Sequence, residues 1–344
     1  MEKNILLEKS KLDDFLGKLS EGYQVYVPAK KDEQRFFRKY AGPAADIVIG
    51  EVRPFEPLKA FFSRAREKVA DGFKPDVPHD EDKPFAIVGV KACDLKGFKI
   101  QDHVFKEHDF PDAFYIRNRE KNLIVSADCT CAIETCFCTA LGIQPHPEEN
   151  FDLNLSEVAD GFVLEIGSEK GRAFIQGHPS LFSPAGEKPI REKKDQRAQV
   201  TRMVDENIRE NDIPRQDLFQ GVIERNFNSD IWVDEAKTCV ECGACTIICP
   251  TCHCFLLYDQ QDQDRMARLR VWDSCMLKGY AHVAGGGNPR PKLFMRLRNR
   301  FEKKFDFFPK RIDVYACTGC GRCVSACPAK IDIRKMLKRL VNNA

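Results

Sequence analysis

The run from Cys239 to Pro250 reads CVECGACTIICP, and the same order, C-x-x-C-x-x-C-x-x-x-C-P, returns from Cys317 to Pro328 as CTGCGRCVSACP. No other feature limits so sharply what this chain can fold into. Two-residue gaps demand a tight turn that brings three sulfurs to one face, and Gly243, Gly319 and Gly321 give the backbone the freedom to approach that point. The proline after the last cysteine ends the hydrogen bonding of the loop and turns the fourth thiolate inward.

Spacing of this kind, with the proline, is how two [4Fe–4S] clusters are held when the fourth cysteine of each run crosses to the other cluster. The expected ligand sets are therefore Cys239, Cys242, Cys245 and Cys327 for the first cluster, and Cys317, Cys320, Cys323 and Cys249 for the second. Structural zinc also uses cysteine pairs, but it needs only four ligands per site and does not require this order twice.

With 344 residues there is length for two domains, each with a core. A formal net charge of +2 creates no demand for nucleic acid or an anionic membrane. The opening MEKNILLEKSKLDDFLG is charged and amphipathic, unlike a signal peptide, and no apolar run is long enough for a bilayer. Sixteen cysteines in such a chain are metal ligands before they are disulfides, and a cytoplasmic protein is expected.

Leu12, Phe15, Leu16 and Leu19 lie at helical spacing, and residues 23–27 and 46–49 read as short strands. An amphipathic helix is expected over 58–69. PFAIVGV (84–90) and NLIVSA (122–127) read as buried strands, the first followed by KACD and a helix over 95–105. Repetition of strand, loop and helix implies an α/β domain with its chemistry on the loops past the strand ends. Residues 162–166 and 173–175 suggest a small hairpin. The charged stretch 188–211 reads as a mostly solvated helix joining the domains.

The expected fold is thus α+β and multidomain: an α/β domain over 1–195, then an α-helical ferredoxin domain over 196–344. Helical patterning at 261–283 and 293–305 suggests a helix pair inserted between the two cysteine runs, and 331–341 reads as a basic amphipathic helix.

Eight cysteines lie outside the runs. CTCAIETCFC (129–138) follows one core strand and Cys93 follows the other. If those strands are parallel neighbours, Cys93 meets the loop, and a third [4Fe–4S] cluster is expected on Cys93, Cys129, Cys136 and Cys138. Cys131 can replace Cys129, and Asp94 offers an oxygen. A buried structural thiol is the plainer role for Cys93. Cys252, Cys254 and Cys275, with Asp273, His253 or Cys131, are additional candidate ligands of a fourth cluster. They serve equally well as thiols packed around the clusters, where they would tune potentials.

GGGNP (285–289) has no strand before it and reads as a loop, so no flavin or nucleotide site is evident, nor a catalytic constellation. From Arg290 to Arg311 there are nine lysines or arginines against two acids, which suits a solvated face or a docking surface for an acidic partner.

Through GVKACDL, TCFC, CGACTIICPTCHCF, WDSC and CTGCGRCVSACPAKID the chain resembles the β subunits of cytoplasmic sulfhydrogenases and the related iron–sulfur subunits of anaerobic sulfite reductases. Lys91 stands where that family often has arginine, and Cys131 adds a thiol to the loop. The resemblance implies an iron–sulfur electron-transfer subunit of an anaerobic oxidoreductase complex. It would work between an FAD- and [2Fe–2S]-bearing NAD(P)H-oxidising subunit, or ferredoxin, and a catalytic partner. That partner would be a nickel–iron hydrogenase, a sirohaem sulfite reductase or a heterodisulfide reductase-like complex. Two other readings compete: a self-sufficient reductase acting on a disulfide or sulfur substrate at Cys252, Cys254 and Cys275, and a non-redox scaffold whose clusters only hold the fold.

Overall fold

The computed structural model describes residues 5–43, 45–72, 74–75, 83–262 and 265–343; residues 1–4 of the amphipathic opening lie outside them. In chain order the strands are β1 (Ile5–Glu8), β2 (Gln24–Lys31), β3 (Gln34–Lys39), β4 (Arg66–Asp71), β5 (Lys74–Pro75), β6 (Phe85–Val90) and β7 (Leu123–Ala127). Then come β8 (Leu153–Val158), β9 (Gly161–Ile166), β10 (Phe182–Pro184), β11 (Phe255–Asp262) and β12 (Arg265–Trp272). The fold is α+β around a mixed eight-stranded sheet ordered β10-β1-β9-β8-β7-β6-β2-β3. Its centre, β2-β6-β7-β8, is parallel, and both flanks are antiparallel.

The near-continuous apolar sequence of β6 and β7, broken only by the hydrogen-bonded Ser126, follows from cover on both faces. Phe15, Leu16 and Leu19 of the helix Leu12–Gly22 share one core with Ala86, Val88 and Val125. Phe62, Phe98, Phe105 and Tyr115 share another with Ile87, Val90 and Ile124. The strand parity changes at Gly89, whose φ of 79° accompanies a register shift between Val88 and Val90. This bulge re-aims the residues that follow, Lys91 to Asp94.

Several local expectations give way to long-range pairing. Residues 58–69 hold only the short helix Lys59–Phe62, after which the chain becomes strand β4. β9 does form a hairpin, but with β8; residues 173–175 belong to the helix Glu169–Gly177, whose start is capped by Ser168. Ile47 makes a single bridge to Ala29 rather than a strand. Residues 255–262 and 265–272, expected to be helical from 261 onward, form the hairpin β11–β12. That hairpin joins β4 and β5 in a four-stranded antiparallel sheet, so one strand from early in the chain pairs with one from late in it. Helix Leu293–Glu302 continues into a π-helical turn, Lys303–Phe307, and the chain closes with the helix Ile333–Asn342.

The helix Glu187–Glu210 does more than join two parts. It buries Lys193, Val200, Val204 and Ile208, and its Arg197 donates to Asp128 at the end of β7 at 2.7 Å and also to Glu165 on β9. A third core gathers Phe137, Leu141 and Ile143 with Val204, Trp232, Phe301, Met336 and Leu340.

Candidate metal centres

Cys239, Cys242, Cys245 and Cys327 line one cavity together with Cys323, Met276, Arg300 and Ile331. The left-handed Gly243 starts the short turn that carries Cys245, and its added Cβ would meet Ser274 at 3.1 Å. Cys242 is the exposed member of the set.

The second set is deeper. Cys317 and Cys249 are buried, and Cys323 faces both Cys320 and Cys249. Gly319 and Gly321, with φ of 62° and 71°, let this run press against the 129–138 loop. A Cβ on Gly319 would stand 2.5 Å from the Cys138 Cα, and one on Gly321 would stand 2.1 Å from the Thr135 carbonyl oxygen. The Phe137 N–H donates to the Gly319 carbonyl at 2.9 Å. These glycines therefore admit a neighbouring loop as well as turning their own.

β6 and β7 are parallel neighbours, and the loops at their ends meet. Cys93, Cys129, Cys131, Cys136 and Cys138 line one cavity, and Cys320 of the second run lines it too. Both Cys129 and Cys131 line it, so the loop and Cys93 together offer one thiol more than four. Asp94 is not free to act as an oxygen ligand. Its carboxylate accepts from the Leu58 N–H at 3.1 Å and from the fully buried Arg322 at 2.7 Å. Arg322 also donates to the carbonyls of Pro54, Phe55 and Glu56. Lys91, buried at the foot of this loop, donates to Ile49 O at 2.7 Å and Asp128 O at 3.2 Å; burial holds its pKa below the ordinary lysine value.

Cys252 and Cys254 line a hollow with His253, Asp273 and the buried Lys59 and Arg270, whereas Cys131 lies in the other cavity. The neighbouring Cys275 thiol pulls the pKa of Cys254 down to about 5, and the Cys249 thiol beside Cys252 pushes that of Cys252 up. Burial drops His253 to about 4, which makes it a neutral ring, and its Nδ1 lies 3.1 Å from Thr251 O.

The basic stretch 290–311 holds what motif reading missed. Arg296, Arg300 and Lys304, four residues apart, are turned inward and buried, neither a solvated face nor a docking surface. Arg296 donates to Glu241 in the first run at 2.7 Å and to Met276 O at 2.9 Å. Arg300 reaches Cys245 O at 3.3 Å; burial raises the pKa of the Cys323 thiol, and the charge of Arg300 acts against that rise. Lys304 Nζ donates to the Cys249 sulfur at 3.2 Å, to Thr251 Oγ1 at 2.9 Å and to Ala316 O at 2.7 Å. Burial opposes its charge, but the thiols of Cys249 and Cys252 outweigh that and raise its pKa. The spacing of four was the available signal.

The donor chemistry suits iron–sulfur clusters: thiols line shared cavities, every cysteine is free, and the buried Lys304 donates to the Cys249 sulfur. Among the described residues no helix is long and apolar enough to cross a membrane. A family model described as a 4Fe-4S dicluster domain matches residues 238–331. The chain is similar to the sulfhydrogenase 2 subunit beta of Pyrococcus furiosus, with 31% identity over 335 residues that cover 97% of each protein.

Proposed function

Because the chain belongs to the sulfhydrogenase β-subunit family, we propose that it is the iron–sulfur relay of an oxidoreductase complex, with three clusters in a row. Residues 239, 242, 245 and 327 would hold the first, residues 317, 320, 323 and 249 the middle one, and Cys93, Cys136, Cys138 and either Cys129 or Cys131 the third. In this reading residues 1–195 supply the third site and 196–344 the dicluster region. The observation that carries it is the sharing of walls: Cys323 lines the first cavity and Cys320 the third, so the second run touches both neighbours.

When bound, a [4Fe–4S] cluster supplies one-electron transfer at a potential set by hydrogen bonds, charge and solvent. The protein residues do the rest. Met276, Leu297 and Met336 keep water from the first site, and Arg300 offsets charge between the first and middle sites. Cys242 brings the first site to the surface, where a partner subunit can exchange electrons. In the complex, a flavin- and [2Fe–2S]-bearing NAD(P)H-oxidising subunit stands at one end of the row. A hydrogenase, sulfite reductase or heterodisulfide reductase-type subunit stands at the other.

Anaerobic purification of the full chain tests this. About 12 iron and as many sulfides per chain are expected, with dithionite reducing the protein reversibly. Colourless, zinc-bearing material would end the proposal, and clusters that resist reversible reduction would leave only a scaffold.

A further inference from the structure

Resting on the cluster assignment above, the inward-facing stripe on the helix Leu293–Glu302 and its π-helical extension carries one more role. Arg300 lies against Cys245 of the first set and Cys323 of the middle set, so its charge serves both. Lys59, the other buried lysine nearby, gives its hydrogens to the carbonyls of Thr246 and Cys252, not to sulfur. Lys304 differs from both. It is 3% exposed, and its ammonium donates to the sulfur of Cys249, which belongs to the middle set alone. Thr251 Oγ1 and Ala316 O take its remaining hydrogens and fix the head group, so the charge cannot swing away. It sits in the π-helical turn Lys303–Phe307, a conformation that is rare and frequent at functional sites.

We propose that Lys304 is a positioning residue for the electron. Its buried charge raises the reduction potential of the middle site above that of the first, so an electron in the row rests on the set that Cys249 completes. The physical basis is that a fixed positive charge beside a site gaining an electron favours the reduced state, and burial weakens the screening that would cancel it. A shared cation such as Arg300 moves both sites together and cannot order them; Lys304 can.

The test uses the full chain, purified anaerobically, with Lys304→Met, Lys304→Gln and Lys304→Arg. Iron and sulfide are counted, and each cluster's midpoint is read by potentiometric titration followed by electron paramagnetic resonance. The middle and first signals are identified by their alteration in Cys317→Ser and Cys239→Ser. In Lys304→Gln, which keeps a donor without the charge, the middle midpoint should fall, so that at the native midpoint the ratio of reduced to oxidised sites drops about tenfold or more. The first signal should move far less, and Lys304→Arg should restore the native value. Lys304→Met should resemble Gln; if it loses iron, the Gln and Arg variants decide. A full iron count with no shift, an equal shift of both signals, or Arg behaving like Gln would overturn the role of Lys304. Absence of iron from the native chain would instead overturn the cluster reading itself, before any variant is made.

Discussion

Arg322 and Asp94 are fully buried, 2.7 Å apart, and come from opposite parts of the chain. Breaking such a pair leaves an uncompensated charge in the interior, which costs about 3–5 kcal/mol. Arg322→Met should therefore lower unfolding free energy by that amount in denaturant titration. Arg322→Met with Asp94→Asn should recover part of the loss; strictly additive losses would mean that the two groups do not interact. Gly321→Ala meets a backbone oxygen at a left-handed position and should cost more than the ~1 kcal/mol typical of such strain. The cysteine runs were legible at this scale because a spacing of two or three residues is a local constraint. Arg322 and Lys304 were not, since a cation's burial depends on partners that sequence does not place beside it.

At the scale of elements, the helix Glu187–Glu210 looked like a charged connector. It is instead bolted to the sheet by Arg197, which bridges Asp128 and Glu165. Burial would raise the Glu165 carboxyl, but Arg197 and Lys193 outweigh it and hold it below the ordinary value of 4.5. A lowered folded pKa means that this stabilisation is complete above the unfolded value and fades as pH falls through the folded one. Arg197→Met should thus lose about 2 kcal/mol near neutral pH, measured by urea unfolding. The gap between variant and native protein should narrow as pH falls below 4.5; a constant gap would rule out Glu165 as the source. The core strands β6 and β7 were readable from their apolar runs. The hairpin β11–β12 was not: its Arg268, Leu269 and Arg270 admit a helical phase. What decided was pairing with β4, where Arg270 meets Glu67 across the sheet.

For the whole molecule, the proposed row of three sites turns on the second run, which places Cys323 in the first cavity and Cys320 in the third. Cys320 lines the third cavity while belonging to the second run, whereas Cys242 lines the first cavity and not the third. Cys320→Ser should therefore alter the resonance signals of both the middle and third sites, whereas Cys242→Ser should alter only the first. A Cys320 variant that changes a single signal would break the proposed adjacency. The parallel placement of Cys93 beside the 129–138 loop could be reasoned from two core strands. The contribution of Cys320 could not, because the packing of a late loop onto an early one has no local sequence signature.

The seating of Gly319 and Gly321 on the 129–138 loop bears on how the protein is made. During synthesis the early thiols emerge long before residue 320, so their pocket stands open on one side while the ribosome works through nearly two hundred further residues. On the proposed assignment, assembly of a cluster at the early thiols waits for the loop that carries Cys320, and a chain truncated before that loop would leave those thiols bare to oxidants.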